Sequence, residues 1–199
     1  SAYSLANFII NKNGISEIEE IISSVITEQF SFTIAHPEFE ARFDKFGHGR
    51  EHDLAIWAET VSGKKVFIGV ESKVDETFGD TIDTAYIKAK TKELNGNKTN
   101  APKRIERLLE TTFQKVTESD FDLRYQLLFS TAGTLCIEVD IHIFLIIVFK
   151  TELYNNELGK QNKNDLKDFL QKLNAQQIRD GYHTVTINNK ELNIIYKEI

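Results

Sequence analysis

From Ser16 to Phe30 apolar residues recur at Ile18, Ile21, Ile22, Val25 and Ile26, the three-and-four spacing that lays one stripe along a helix. Ser16 followed by Glu19 has the form of a capping box, so a helix is expected to start there. The pattern then changes. Phe32, Ile34, Phe39 and Phe43 suggest a strand, with an interruption expected at His36-Pro37 because proline offers no ladder donor. His52 to Glu59 and Lys65 to Val70 are rich in aromatic and β-branched residues, and Val61-Ser62-Gly63-Lys64 between them carries a turn signal. They predict an antiparallel hairpin. Ile105, Leu108, Leu109, Thr112, Phe113 and Val116 predict a second amphipathic helix over 102–118. A third, apolar nearly all round through Leu123, Leu127, Leu128, Leu135 and Ile137, follows from about Phe121. The unbroken apolar run Ile141 to Phe149 reads as a central strand covered on both faces.

After Lys150 a polar connection leads to a helix near Asn164 to Leu173 and to two alternating segments, His183 to Ile187 and Leu192 to Tyr196. Asn188-Asn189 between these segments is a good hairpin turn. The expected core order is one helix, three strands, two helices and a strand over about 15–150, with residues 151–199 as a terminal decoration of the sheet or a dimer contact. This is an α/β chain in the α+β sense, a central mixed sheet flanked by helices. With 199 residues, 41% of them apolar, and no break in composition, one domain is expected.

The hairpin has a chemical consequence. The start of its first strand lies opposite the end of its second, which brings Asp53 close to Glu71. Side chains alternate along a strand, so Glu71 and Lys73 share one face while Val70 and Ser72 take the other. A three-residue loop aligns Asp53 with that pair, and a two-residue loop turns it away unless a bulge intervenes. An isolated Glu-x-Lys is commonly a surface ion pair of little consequence. Here the charges arrive abruptly at the end of the apolar run Val66 to Val70, which suggests a cleft. Two carboxylates can hold a hard divalent cation, Mg²⁺ or Mn²⁺, and an ammonium beside them completes a minimal apparatus for phosphodiester hydrolysis. Asp75 shares the face of Glu71 and is open to a role in holding Lys73.

Asp53 followed by Glu71-x-Lys73 on the next strand resembles the PD-(D/E)xK nuclease superfamily, which includes restriction endonucleases and DNA repair nucleases. Gly47-His48-Gly49-Arg50-Glu51-His52-Asp53-Leu54 looks like a bacterial branch of it, as do Val70 to Gly79 and Leu123 to Leu128 with Thr131-Ala132-Gly133. The likeness spans roughly 15–175, and His52 stands where the superfamily usually has proline. The resemblance implies a restriction-endonuclease-like fold and an Mg²⁺-dependent nuclease with Asp53, Glu71, Lys73 and Gln126 as catalytic residues. It also implies metal ligation by Asp53, Glu71 and the Ser72 main-chain carbonyl. A further acidic ligand from the first helix would be Glu19, or Glu20 by position.

Charge and composition narrow the choice of partner. The net charge of −6 argues against a general nucleic-acid coat, yet Tyr86 to Arg107 holds seven Lys or Arg against two Glu, a local balance of +5. Lys98, Lys103 and Arg104 in this flank are candidate phosphate contacts, as are Arg50 and His52 beside Asp53 and, separately, Arg124, which is equally open to pairing with Asp120 or Asp122. Nucleic acid is the expected partner, DNA before RNA, with a homodimer as a further possibility and no membrane. Gln126, Ser130 and Gly133 stand in one row at helical spacing, which either allows close packing or points an amide toward the site. Cys136 alone excludes an intramolecular disulfide, and with no secretory signal read, a reducing cytoplasm is expected. His142 and His183 read as strand residues, and His48 and His52 as loop residues at the cleft mouth. Two rival readings remain: a nuclease-like binding or assembly module without chemistry, and a purely structural ion-pair cluster.

Overall fold

A glycine-containing turn organises the sheet. In the computed structural model, which describes residues 1–199, β2 (Arg50–Thr60) and β3 (Lys65–Lys73) pair antiparallel with Glu59 opposite Lys65 and Leu54 opposite Val70. The Thr60 N–H donates to the Lys64 carbonyl at 3.0 Å, leaving a three-residue loop with Gly63 at φ +84°. Only glycine enters that region without strain. β1 (Phe30–Ala41) pairs with β2 on its other side. β3 runs parallel to β4 (Ile141–Val148), and β4 runs parallel to β7 (Lys190–Glu198). β6 (Tyr182–Ile187) and β5 (Gln176–Arg179) add antiparallel, giving one mixed sheet in the order β1-β2-β3-β4-β7-β6-β5. The C-terminal segment thus enters the sheet through β7, beside the central strand.

Helices cover both faces. α1 (Ala2–Asn11) and α2 (Gly14–Ile22) pack Leu5, Phe8, Ile18 and Ile22 onto Ile56, Ile68, Val70, Leu145 and Ile147. On the opposite face lie α3 (Ile82–Leu94), α4 (Ala101–Thr112), α5 (Tyr125–Leu135) and α6 (Asn156–Lys172). They bury Ile105, Leu108, Leu127, Leu128 and Phe169 against Phe144, Ile146, Val148 and Ile194. β3 and β4 are therefore apolar on both faces, which is why they read as uninterrupted runs. With six helices on one seven-stranded mixed sheet, the fold is α+β.

The departures from expectation have local causes. α2 starts at Gly14 after Asn13 in the left-handed region, and Ser16 donates to the Asn13 side chain at 3.2 Å, so no Ser16–Glu19 box forms. It stops at Ile22, yet Ile26 stays buried in the following turn. β1 is not interrupted at His36-Pro37: these residues pair with Ala55 and Leu54, and Pro37 is tolerated because β1 is an edge strand. The third expected helix is split. A 3₁₀ turn over Glu118–Asp122 ends at extended Leu123 and Arg124, whose backbone joins Ile82 and Thr81 before α5 begins. α6 begins eight residues earlier than expected, capped by the Asn155 side chain on the N–H groups of Glu157 and Leu158. Asn188 and Asn189, at φ 50° and 64°, form the expected tight turn between β6 and β7.

Close approach of α5 to the sheet depends on Gly69. A β-carbon there would come within 2.7 Å of the His52 ring and 2.9 Å of Thr134 Oγ1. Gly69→Ala is accordingly expected to cost about 1–3 kcal/mol by overpacking. Thermal unfolding followed by circular dichroism checks this; an unshifted midpoint for Gly69→Ala would contradict the packing.

Candidate functional site

The site lies where β2 leaves β3. Their ladder ends at Leu54–Val70, while β3 stays paired with β4 as far as Lys73–Val148. Asp53 stands just beyond the last pair. Its Oδ2 accepts from both the N–H and the hydroxyl of Ser72, each at 2.7 Å, and so takes the place of the missing ladder partner. The three-residue loop meets the condition for aligning Asp53 with Glu71, but the Asp53 carboxylate is turned to Ser72.

Glu71 and Lys73 project to the α5 side. Lys73 Nζ lies 3.0 Å from Glu71 Oε1, donates to Gln126 Oε1 at 3.0 Å, and sits 5.4 Å from the Phe78 ring centre. The Gln126 amide nitrogen donates to Glu71 Oε1, so this one side chain bridges acid and ammonium. Arg50 Nη2 donates to Glu71 Oε2, and Arg50 Nε donates to Ser130 Oγ at 2.8 Å. The row Gln126, Ser130, Gly133 fulfils both roles considered for it. Its first two members meet the charged cluster, and Gly133 lets the Arg50 stem and His52 pack against the helix.

Burial shapes the electrostatics. The Glu71 and Lys73 side chains are 2% and 5% exposed, and that of Arg50 13%. Desolvation pushes the Glu71 carboxyl above the usual carboxylate range, against the opposing pull of Arg50 and Lys73, and the nearby Asp53 charge adds to the rise. His52 is not at a cleft mouth. It lies within β2, fully buried, with neither ring nitrogen hydrogen-bonded and its ring 5.8 Å from that of Phe67. Burial, helped by the Arg50 charge and only weakly opposed by the Gly133 backbone, pushes its imidazole down to about 3, so it is a neutral wall rather than a phosphate ligand.

Other expected phosphate contacts are consumed elsewhere. Arg104 makes a two-pronged pair with Asp44, at 2.7 and 2.8 Å, and donates to the His48 carbonyl. Arg124 pairs with neither Asp120 nor Asp122; it joins α6 through Asp165 and the connection between β3 and α3 through the Gly79 carbonyl, both at 2.8 Å. Of the basic flank, Lys88, Lys90 and Arg107 pair with Asp80, Glu93 and Glu110. Lys98 and Lys103 are exposed and in no salt bridge. Glu19 and Glu20 are exposed on α2, which packs on the other face of the sheet, and no group of three His, Cys, Asp or Glu gathers anywhere to hold a metal ion. His48 is exposed beside Glu40, whereas His142 and His183 lie on β4 and β6. Two spacious clefts, of about 680 and 730 Å³, open elsewhere: one between α6 and the β6–β7 strands, one beside α1.

The oxygen donors suit a hard cation in kind: Asp53 and Glu71 supply two carboxylates, and Asp53 keeps one oxygen without a protein donor. Both Glu71 oxygens, however, are already held by Arg50, Lys73 and Gln126. Sequence reasoning named Arg50 but missed this contact, because β2 and β3 are unpaired there and register alone does not predict it.

Fold and site together define an α+β protein with a buried Arg–Glu–Lys–Gln cluster at the end of a central strand and one aspartate on the neighbouring strand, bound to Ser72. The chain belongs to a family described as a domain of unknown function (DUF6946), whose model matches residues 1–199. No curated protein and no solved structure matches the chain. No helix is long and apolar enough to cross a membrane.

Proposed function

We propose that the protein is a divalent-metal-dependent nuclease of the restriction-endonuclease-like kind, acting on DNA or RNA in the cytoplasm. The observation that supports this most is the meeting of Glu71, Lys73 and Gln126 with Asp53 one strand away, at the point where two strands part. Asp53, Glu71 and the main-chain carbonyl of Ser72 would hold Mg²⁺ or Mn²⁺. The ion would polarise a phosphoryl oxygen and acidify water. Lys73, fixed between Glu71 and Gln126, orients that water or stabilises negative charge developing on phosphorus. Gln126 is a positioning residue, since it sets the separation of Glu71 and Lys73. Lys98 and Lys103 remain available for the nucleic-acid backbone.

A second reading, a nuclease-like binding module without chemistry, is favoured by one feature: Glu71 is nearly inaccessible and already paired with Arg50. Asp53→Asn separates the two. The amide oxygen can still accept from Ser72, so the fold and unfolding midpoint should be kept, while Mg²⁺- or Mn²⁺-dependent cleavage of plasmid, single-stranded DNA or RNA should vanish. Cleavage retained by the variant would remove Asp53 from the mechanism; no cleavage by the parent on any of these substrates would favour the binding module.

A further inference from the structure

Within the buried cluster the formal charges cancel: Arg50 and Lys73 face Glu71, with Asp53 alongside, while Glu76 acts on Lys73 from further out, where the Ser1 amino group balances it. Adding a divalent cation would leave a local charge of +2, and a buried cluster with that excess is strongly disfavoured. Either a cation leaves or an anion arrives. Lys73 has no way out, being 5% exposed, clasped between Glu71 and Gln126 and set over Phe78. Arg50 is the more exposed of the two, at the first residue of β2 and two residues after the exposed His48. Its guanidinium also suits two-pronged binding of a phosphate, which a lysine ammonium does not.

We propose that Arg50 is a built-in counter-cation: it holds Glu71 in the free protein, and it moves to the phosphate of an arriving phosphodiester when a divalent cation takes its place. This rests on the metal-dependent reading above. Metal and substrate then bind as a coupled pair, and the free protein takes up metal poorly. Ser130, which accepts from Arg50 Nε, anchors the resting position.

The test is calorimetric titration of Mn²⁺ into the parent, Arg50→Gln and Asp53→Asn, each with and without dimethyl phosphate as a non-cleavable phosphodiester probe. Arg50→Gln alone should bind Mn²⁺ about tenfold more tightly than the parent, within the range usual for coupled sites. Dimethyl phosphate should tighten Mn²⁺ binding to the parent and do so less for Arg50→Gln. Equal Mn²⁺ affinity in parent and Arg50→Gln, lost in Asp53→Asn, would overturn the role of Arg50 and leave the metal site standing. No Mn²⁺ binding by any of the proteins, with or without the probe, would overturn the metal-dependent reading itself. Should Arg50→Gln fail to fold, Arg50→Lys keeps the charge; an undiminished effect of dimethyl phosphate in that variant would likewise overturn the proposal.

Discussion

Replacing Glu71 with leucine is expected to destabilise the protein by about 3–5 kcal/mol, because Arg50, Lys73 and Gln126 lose the acceptor oxygens they share and stay buried as unpaired donors. Two cations, Arg50 and Lys73, would be left facing an apolar side chain that accepts no hydrogen bond, in a site where the Lys73 side chain is 5% exposed. For a chain of this size each kcal/mol moves the unfolding midpoint by about 2–4 °C, so a fall of roughly 6–20 °C should be seen by calorimetry. Adding Lys73→Met, which keeps the volume near Phe78 and removes one cation, should restore more than half of the loss. Additive effects of the two substitutions would contradict the pairing. The upward push on the Glu71 carboxyl means that its partners do not fully offset its desolvation. An apolar cluster of the same shape would then be at least as stable, and stability alone gives no reason for the charges at this position.

Legibility in the sequence followed the range of the interaction. The β2–β3 hairpin was readable because a turn glycine and two flanking strands lie within a few residues, and it carried the nearness of Asp53, Glu71 and Lys73 with it. The central strands were readable because two covered faces leave no polar alternation. Gln126 was readable from a row of small and polar residues along one side of α5. α3 was not. It buries only Ile82 and Ala89, so no stripe marks it. α2 seemed longer than it is because Val25 and Ile26 stay packed after the helix has ended; periodic burial does not require continued helical hydrogen bonds. The expected arginine contacts misled for a different reason. Arg104 finds Asp44 across 60 positions and Arg124 finds Asp165 across 41, pairings that depend on which helix packs where and leave no local trace. His52 likewise looked like a loop residue because Gly47 and Gly49 precede it, although the strand has already begun at Arg50.

His52 gives the clearest pH prediction. Its folded pKa of about 3 lies far below the roughly 6.5 of an exposed histidine. The folded state therefore binds this proton less readily than the unfolded state, so the stability it contributes is complete above about pH 6.5 and lost as pH falls toward 3. The loss runs at about 1.4 kcal/mol per pH unit, or roughly 3 kcal/mol between pH 6.5 and 4.5. Glu71 works in the opposite sense. Its raised folded pKa means the folded state takes up that proton first, so lowering the pH through its folded pKa toward the ordinary value near 4.5 stabilises the fold and masks part of the His52 effect. Comparing the parent with His52→Phe cancels the Glu71 contribution. Phenylalanine continues the aromatic packing against Phe67, and any overpacking penalty beside Gly69 is independent of pH. In guanidinium unfolding, the stability of His52→Phe relative to the parent should rise by about 3 kcal/mol from pH 7 to 4.5. A difference that stays flat over that interval would mean the imidazole takes up its proton in the folded protein, and that the wall between β2 and α5 is open to water.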